Sequence, residues 1–177
     1  MLWKLEGLPE CDVRRPVMPT GTNLLGLVKH LAGVEFGYFG DTFGRPSPDA
    51  PEFDDADPNG DWVAEAHESR EDIVGLYRKA QAHADATIAE LALDAPGRVP
   101  WWPADRAGVT LHGVLIHMIA ETDQHRGHAD VVRELIDGTA GLTAVNSNLG
   151  VPASEQDAFR ARIEVAARTA AGLNPAG

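Results

Sequence analysis

The sequence predicts an all-α protein, an up-down four-helix bundle with an additional short C-terminal helix. Three observations lead there. Apolar residues recur at helical spacing in successive segments, no stretch alternates as a strand should, and no internal repeat divides the chain. The 177 residues suit one domain, 1–177, and a hydrophobic fraction of 44% can fill its core.

Taken in order, residues 2–8, with Leu2, Trp3, Leu5 and Leu8, read as the end of a first helix stopped by Gly7 and Pro9. Thr22 is the expected N-cap of a helix running to Phe39, with Gly40 behind it. From Thr42 to Asp61, Pro46, Pro48, Pro51 and Pro58 among acidic residues predict a loop with little structure of its own. Ser69 and Asp72 resemble a capping box. The helix they open carries Ile73, Leu76, Tyr77, Ala80, Ala84, Ile88 and Leu91 on one stripe. Pro96, Gly97, Pro100 and Pro103 then enforce an irregular link bearing Trp101 and Trp102. Thr110 caps the next helix, which continues to Asp137 and stops at Gly138. After a glycine- and asparagine-rich stretch, Ser154 with Asp157 opens a last helix through Phe159, Ile163 and Ala167.

Composition narrows the partners. Lysine and arginine number 15 against 27 acidic residues, a formal charge of −12 with a pI near 4.9. Such a chain repels phosphate backbones and anionic bilayers, so neither nucleic acid nor membrane is expected as a partner. No stretch approaches the roughly 18 consecutive apolar residues of a membrane span. Cys11 is the one cysteine, so no intramolecular disulfide can form. With no apolar leader, the expected setting is the reducing cytoplasm.

The helix at 111–137 carries the chemistry. At about 100° per residue, Val114, Met118, Val132 and Ile136 fall on one apolar arc, with Glu121 and His125 in its middle. Asp123, Asp130 and Glu134 fall on the opposite, solvated face. A carboxylate on a buried stripe is costly unless paired or bound to a metal, and the imidazole one turn away gives both a reason. His117, Glu121 and His125 cannot share one ion, because residues eight apart are separated by about 12 Å along the axis. Two neighbours from this helix therefore need a ligand from elsewhere. His30 supplies it, at the edge of an apolar face formed by Leu24, Leu27, Val28, Leu31, Val34 and Tyr38. Two histidines and one carboxylate leave room for water or substrate, as catalytic sites do. That donor set suits zinc first, with iron(II) or nickel also compatible. His67, His83, His112, His117 and His128 are read as ordinary hydrogen-bonded helix residues.

The segment GTNLLGLVKHLAGVEFGYFG, with His30, resembles the first metal-ligand helix of the DinB-like (DinB/YfiT) metalloenzymes, and ETDQHRGHADVVREL resembles their second motif. The resemblance covers nearly the whole chain, including PGRVPWWP, and is closest to an uncharacterised actinobacterial subgroup. It implies a bundle of the DinB/YfiT type whose triad falls on His30, Glu121 and His125. Many members have histidine at the position of Glu121, whereas the mycothiol-dependent maleylpyruvate isomerases, which share the fold, have glutamate. Relative to the family, Met1 stands almost at the end of the first helix. Either that helix is shortened, or the native start lies upstream.

The resemblance implies an enzyme in which a divalent metal activates a low-molecular-weight thiol, mycothiol in actinobacteria, for transfer to, or isomerisation of, an electrophilic small molecule. Glu35 is the expected residue orienting a ligand imidazole, or else the partner of an arginine. Tyr38, Phe39, Trp101 and Trp102 are core or pocket-wall aromatics. Two rivals stand beside this reading, a metal-dependent hydrolase acting through water and a non-catalytic metal-binding stress-response protein. The second predicts that metal removal unfolds the chain. A homodimer through a helical face is compatible with the fold.

Overall fold

The computed structural model describes residues 1–52 and 56–174, so the part of the proline-rich loop at 53–55 lies outside the described residues. The described chain is mostly helical, with five α-helices, short 3-10 turns and one two-stranded sheet. Its contacts divide it into two compact units, Met1–Thr139 and Ala140–Gly177. Among the described residues no helix is long and apolar enough to cross a membrane.

The first unit begins with a 3-10 turn at Leu2–Leu5 and a short helix α1, Glu10–Arg14. This departs from the expected helix end at residues 2–8. Pro9 ends nothing; it stands at the N-cap of α1, where a missing N–H costs no bond. The turn is fastened to a later helix by charge. Lys4, 1% exposed, pairs with Asp130, and Arg133 Nη1 donates to the Lys4 carbonyl at 2.7 Å. Asp130 is therefore not the solvated charge its helical position suggested. It compensates a buried ammonium, which an apolar interior would otherwise penalise.

Three long helices follow, α2 (Leu24–Phe39), α3 (Arg70–Glu90) and α4 (Leu111–Asp137). Helix α2 packs along both α3 and α4, which explains why it is apolar over most of its circumference. Leu25, Leu27, Val28 and Leu31 are fully buried and meet Ile73, Tyr77 and Ala80 from α3 and Ala129 and Val132 from α4. A second cluster gathers Tyr38, Phe39, Ala84, Val99, Leu111, Val114 and Met118. On α4 the apolar arc read from the sequence is the buried one, with Val114, Met118, His125 and Val132 all buried.

The caps set the helix limits. The cap of α2 is Asn23 rather than Thr22: its Oδ1 accepts the Gly26 N–H at 2.7 Å, while Thr22 bonds the Thr20 hydroxyl at 2.9 Å. The longer amide reaches the first turn with its oxygen and keeps its nitrogen free to donate elsewhere. Ser69 and Asp72 form the expected reciprocal capping box, and Thr110 accepts from Gly113 at the start of α4. Gly138, with φ 76°, closes α4 in the left-handed conformation that favours glycine.

The link between α3 and α4 is not irregular throughout. Strands β1 (Pro96–Arg98) and β2 (Gly108–Thr110) pair antiparallel with Gly97 opposite Val109. Three residues per strand are too few to display an alternation. The hairpin buries Val99, and Phe43 lies so close to Gly97 that a Cβ there would approach its ring to 2.7 Å.

The second unit holds a 3-10 turn at Ala153–Glu155 and helix α5, Gln156–Ala170, none of whose side chains is buried. The expected opening by Ser154 and Asp157 does not form. Ser154 lies inside the 3-10 turn, and the residue at the cap, Glu155, makes no side-chain cap bond.

Candidate metal centre

His30 lies midway along α2, half-buried at its edge. Its two ring nitrogens face different partners. Nδ1 meets Asp61 Oδ2 at 2.6 Å, and Nε2 points to Glu121 Oε1 of α4 at 4.0 Å. An ionised carboxylate only accepts, so Asp61 holds the proton on Nδ1 and leaves the lone pair on Nε2. Trp62 lies flat on the ring, with centroids 4.0 Å apart and planes 21° apart.

Asp61 and Trp62 belong to a 3-10 turn, Gly60–Trp62, which begins within the Thr42–Asp61 loop expected to have little structure of its own. The following strap is tied to the first two helices through its carbonyls. Asn23 Nδ2 donates to Trp62 O at 3.2 Å, Lys29 Nζ to Val63 O at 2.8 Å, and Arg14 Nη1 to Ala64 O at 3.1 Å. Gly26 makes the approach feasible, since a Cβ there would stand 2.1 Å from Trp62 O.

From α4, Glu121 and His125 project one turn apart. His125 Nε2 is 3.0 Å from the same Glu121 Oε1 that faces His30. The imidazoles of His30 and His125 meet edge to face with centroids 4.9 Å apart. One donor atom from each of His30, Glu121 and His125 lies within 4.8 Å of the others. Donors about 2.0–2.2 Å from a common ion stand no more than roughly 4.4 Å apart, so small side-chain adjustments suffice to close the cluster. Burial lowers the His125 pKa, against the opposing pull of its hydrogen bond to Glu121. The ring is thus kept neutral, the form that ligates. Its Nδ1 and the Oδ1 of Asp61 are buried with no hydrogen-bond partner. Two imidazoles and a carboxylate fit a divalent ion of the zinc, iron or nickel kind.

The remaining sequence candidates sit elsewhere. His117 stays out of the cluster and packs against Tyr38 and Trp102, at 4.7 and 5.4 Å between centroids. His83 Nε2 lies 2.8 Å from the Arg45 carbonyl. Phe39 is core, Trp102 Nε1 donates to the Tyr38 hydroxyl at 3.1 Å, and the half-exposed Trp101 lies over Gly37. Glu35 is buried and hydrogen-bonded to Tyr77 of α3, and burial pushes its carboxyl up to about 7. Glu35, expected to orient an imidazole, bonds Tyr77, whereas the carboxylate that meets His30 Nδ1 is that of Asp61. The sequence offered little to find it, because a lone aspartate in an aperiodic loop has no pattern to stand out from.

A family model described as mycothiol-S-transferase matches residues 1–138. No curated protein and no solved structure matches the chain. The match spans well over half of the sequence and includes the strap and all three residues of the cluster, so the chain belongs to the mycothiol-S-transferase family.

Proposed function

We propose that the protein is a divalent-metal-dependent S-transferase that adds mycothiol to an electrophilic small molecule. The observation that carries this reading is the convergence of the His30 and His125 Nε2 atoms on one oxygen of Glu121. His30, Glu121 and His125 would hold the ion and leave at least one position open. The ion would supply Lewis acidity, lowering the pKa of a thiol so that it attacks as its anion at neutral pH. The protein's own residues do the rest. Asp61 fixes the tautomer and direction of His30, Trp62 covers the ring from solvent, and burial keeps His125 unprotonated. In the transfer the thiol loses its proton, the S–C bond forms, and the electrophile releases its leaving group with the bonding pair. A conjugated acceptor would instead take up a proton at carbon. Since one chain carries every ligand, a homodimer would not be needed to complete the centre.

The test is elemental analysis together with a conjugation assay, on the parent and on His125→Ala. The expected result is about one ion per parent chain and product formed only when mycothiol is supplied. His125→Ala should remain folded and lose both metal and turnover. Turnover of a model ester by the metal form without any thiol would replace this reading with a hydrolase. A parent that binds no ion when supplied with zinc, iron(II) or nickel would overturn it.

A further inference from the structure

The strap that holds His30 also borders a cleft. Trp62 lines, together with Arg14, Pro16, Thr20, Thr22 and Asn59, a cavity of about 680 Å³ outside the metal cluster. That size is ample for a small molecule of several rings. The wall is preformed, because the strap carbonyls are already fixed by Asn23, Lys29 and Arg14.

The lining indicates what kind of molecule fits. Among the described residues Arg14 is the one charged residue of the lining, and four of its five guanidinium N–H groups are engaged. Nε bonds Glu10, Nη1 the carbonyls of Ala64 and Glu65, and Nη2 that of Glu68. A single N–H on Nη2 is all that this cation has left for an anionic ligand. The hydroxyls of Thr20 and Thr22 share one hydrogen bond at 2.9 Å, which leaves a hydroxyl proton and several lone pairs for another partner. Exposed Asn59 adds an amide, while Pro16, Val63 and the Trp62 residue add apolar surface. Hydroxyl and amide groups set among apolar walls and an indole suit a neutral, polyhydroxylated ring system. Its O–H edges would take the hydrogen bonds and its C–H faces the apolar contacts.

We infer that this cleft binds the sugar–cyclitol portion of the thiol co-substrate, an inference that rests on the S-transferase reading. Mycothiol is a cysteine derivative carried on such a neutral pseudo-disaccharide. Trp62, one of the residues lining the cleft, is also the residue whose ring lies on His30. Specificity for this thiol over a bare cysteine would then reside in Thr20, Thr22 and Asn59, none of which belongs to the metal cluster.

The experiment uses the full chain and two probes, N-acetylglucosaminyl-inositol, which is neutral and has no sulfur, and intact mycothiol. N-acetylglucosaminyl-inositol should bind by saturation-transfer NMR and tryptophan fluorescence, and should bind equally after chelation. A Thr20→Val/Thr22→Val variant should weaken that binding about tenfold and raise the KM for mycothiol in step, with the KM for the electrophile unchanged. Should the double variant melt below the parent, Asn59→Ala, a solvent-facing change, carries the same test. If the parent fails to bind N-acetylglucosaminyl-inositol, or the variants bind it as the parent does, the assignment falls. Mycothiol transfer that persists in that case leaves the S-transferase reading standing. Binding in the cleft with no transfer by any metal form supports the assignment and sinks the S-transferase reading instead.

Discussion

At His30 the fold uses both ring nitrogens, one on Asp61 and the other toward Glu121, and the first sets what the second can offer. Replacing the carboxylate by an amide keeps its shape but lets its nitrogen face Nδ1 as a donor, which favours the wrong tautomer. Asp61→Asn should therefore weaken zinc binding roughly 10- to 100-fold, measured by chelator competition, with the melt of the metal-free protein little changed. An unchanged affinity would show that Asp61 does not orient the ligand. Glu35 supports a second prediction. Burial raises its carboxyl to about 7 from an ordinary 4.5, and its hydrogen bond to Tyr77 only partly offsets that. Because the folded-state pKa is the higher one, the stabilisation is full below about pH 4.5. It is lost as pH rises through about 7, by on the order of 3 kcal/mol. Glu35→Gln cannot ionise and keeps the hydrogen bond, so its melting temperature should exceed the parent's by a margin that grows between pH 5 and pH 8. A constant margin would mean that Glu35 titrates normally.

Among the elements, the strap at 60–65 is where backbone and site chemistry meet. Gly26 lies in the first turn of α2, directly beneath Trp62 O, and the 2.1 Å approach of an added Cβ involves backbone on one side and a helix on the other. Neither yields as a flexible side chain would. Gly26→Ala should cost about 1–3 kcal/mol in urea denaturation and should also lower zinc affinity, because the displaced strap carries Asp61 with it. Loss of stability with unaltered affinity would detach the strap from the site. The strap also shows what a sequence can and cannot display. Glu121 and His125 were readable because a helix places residues four apart on one line, and two polar groups inside an apolar arc demand a reason. His30 was weaker alone and gained meaning only from that pair. Asp61 lies far from all three in sequence and meets His30 through tertiary folding alone. Helices α2, α3 and α4 were legible from periodicity and from the Ser69 and Thr110 caps, whereas Asn23, adjacent to Thr22, could be told apart only by geometry. The three-residue strands and the five-residue α1 were too short to carry any period.

For the whole molecule, the division at Thr139 separates the site from the tail. Every residue of the cluster and strap lies in Met1–Thr139, the family match stops at 138, and no side chain of α5 is buried. Among the described residues the three donors of the cluster all come from the first unit, and a chain ending at Thr139 should fold and bind one zinc with the parent's affinity, as calorimetry and elemental analysis would show. The first unit also has a continuous apolar core joining α2, α3 and α4, independent of the donor atoms. Such a core should hold the fold after chelation, with far-UV circular dichroism retained and a single cooperative melt. Zinc restored at about a hundred times its dissociation constant should then raise stability by about 2.7 kcal/mol through mass action alone. A metal-free protein that unfolds outright would instead make the ion part of the scaffold, as the non-catalytic rival requires. The buried clusters to which α2, α3 and α4 contribute argue for the first outcome, because His30 sits at the half-buried edge of α2 rather than at the centre of its core.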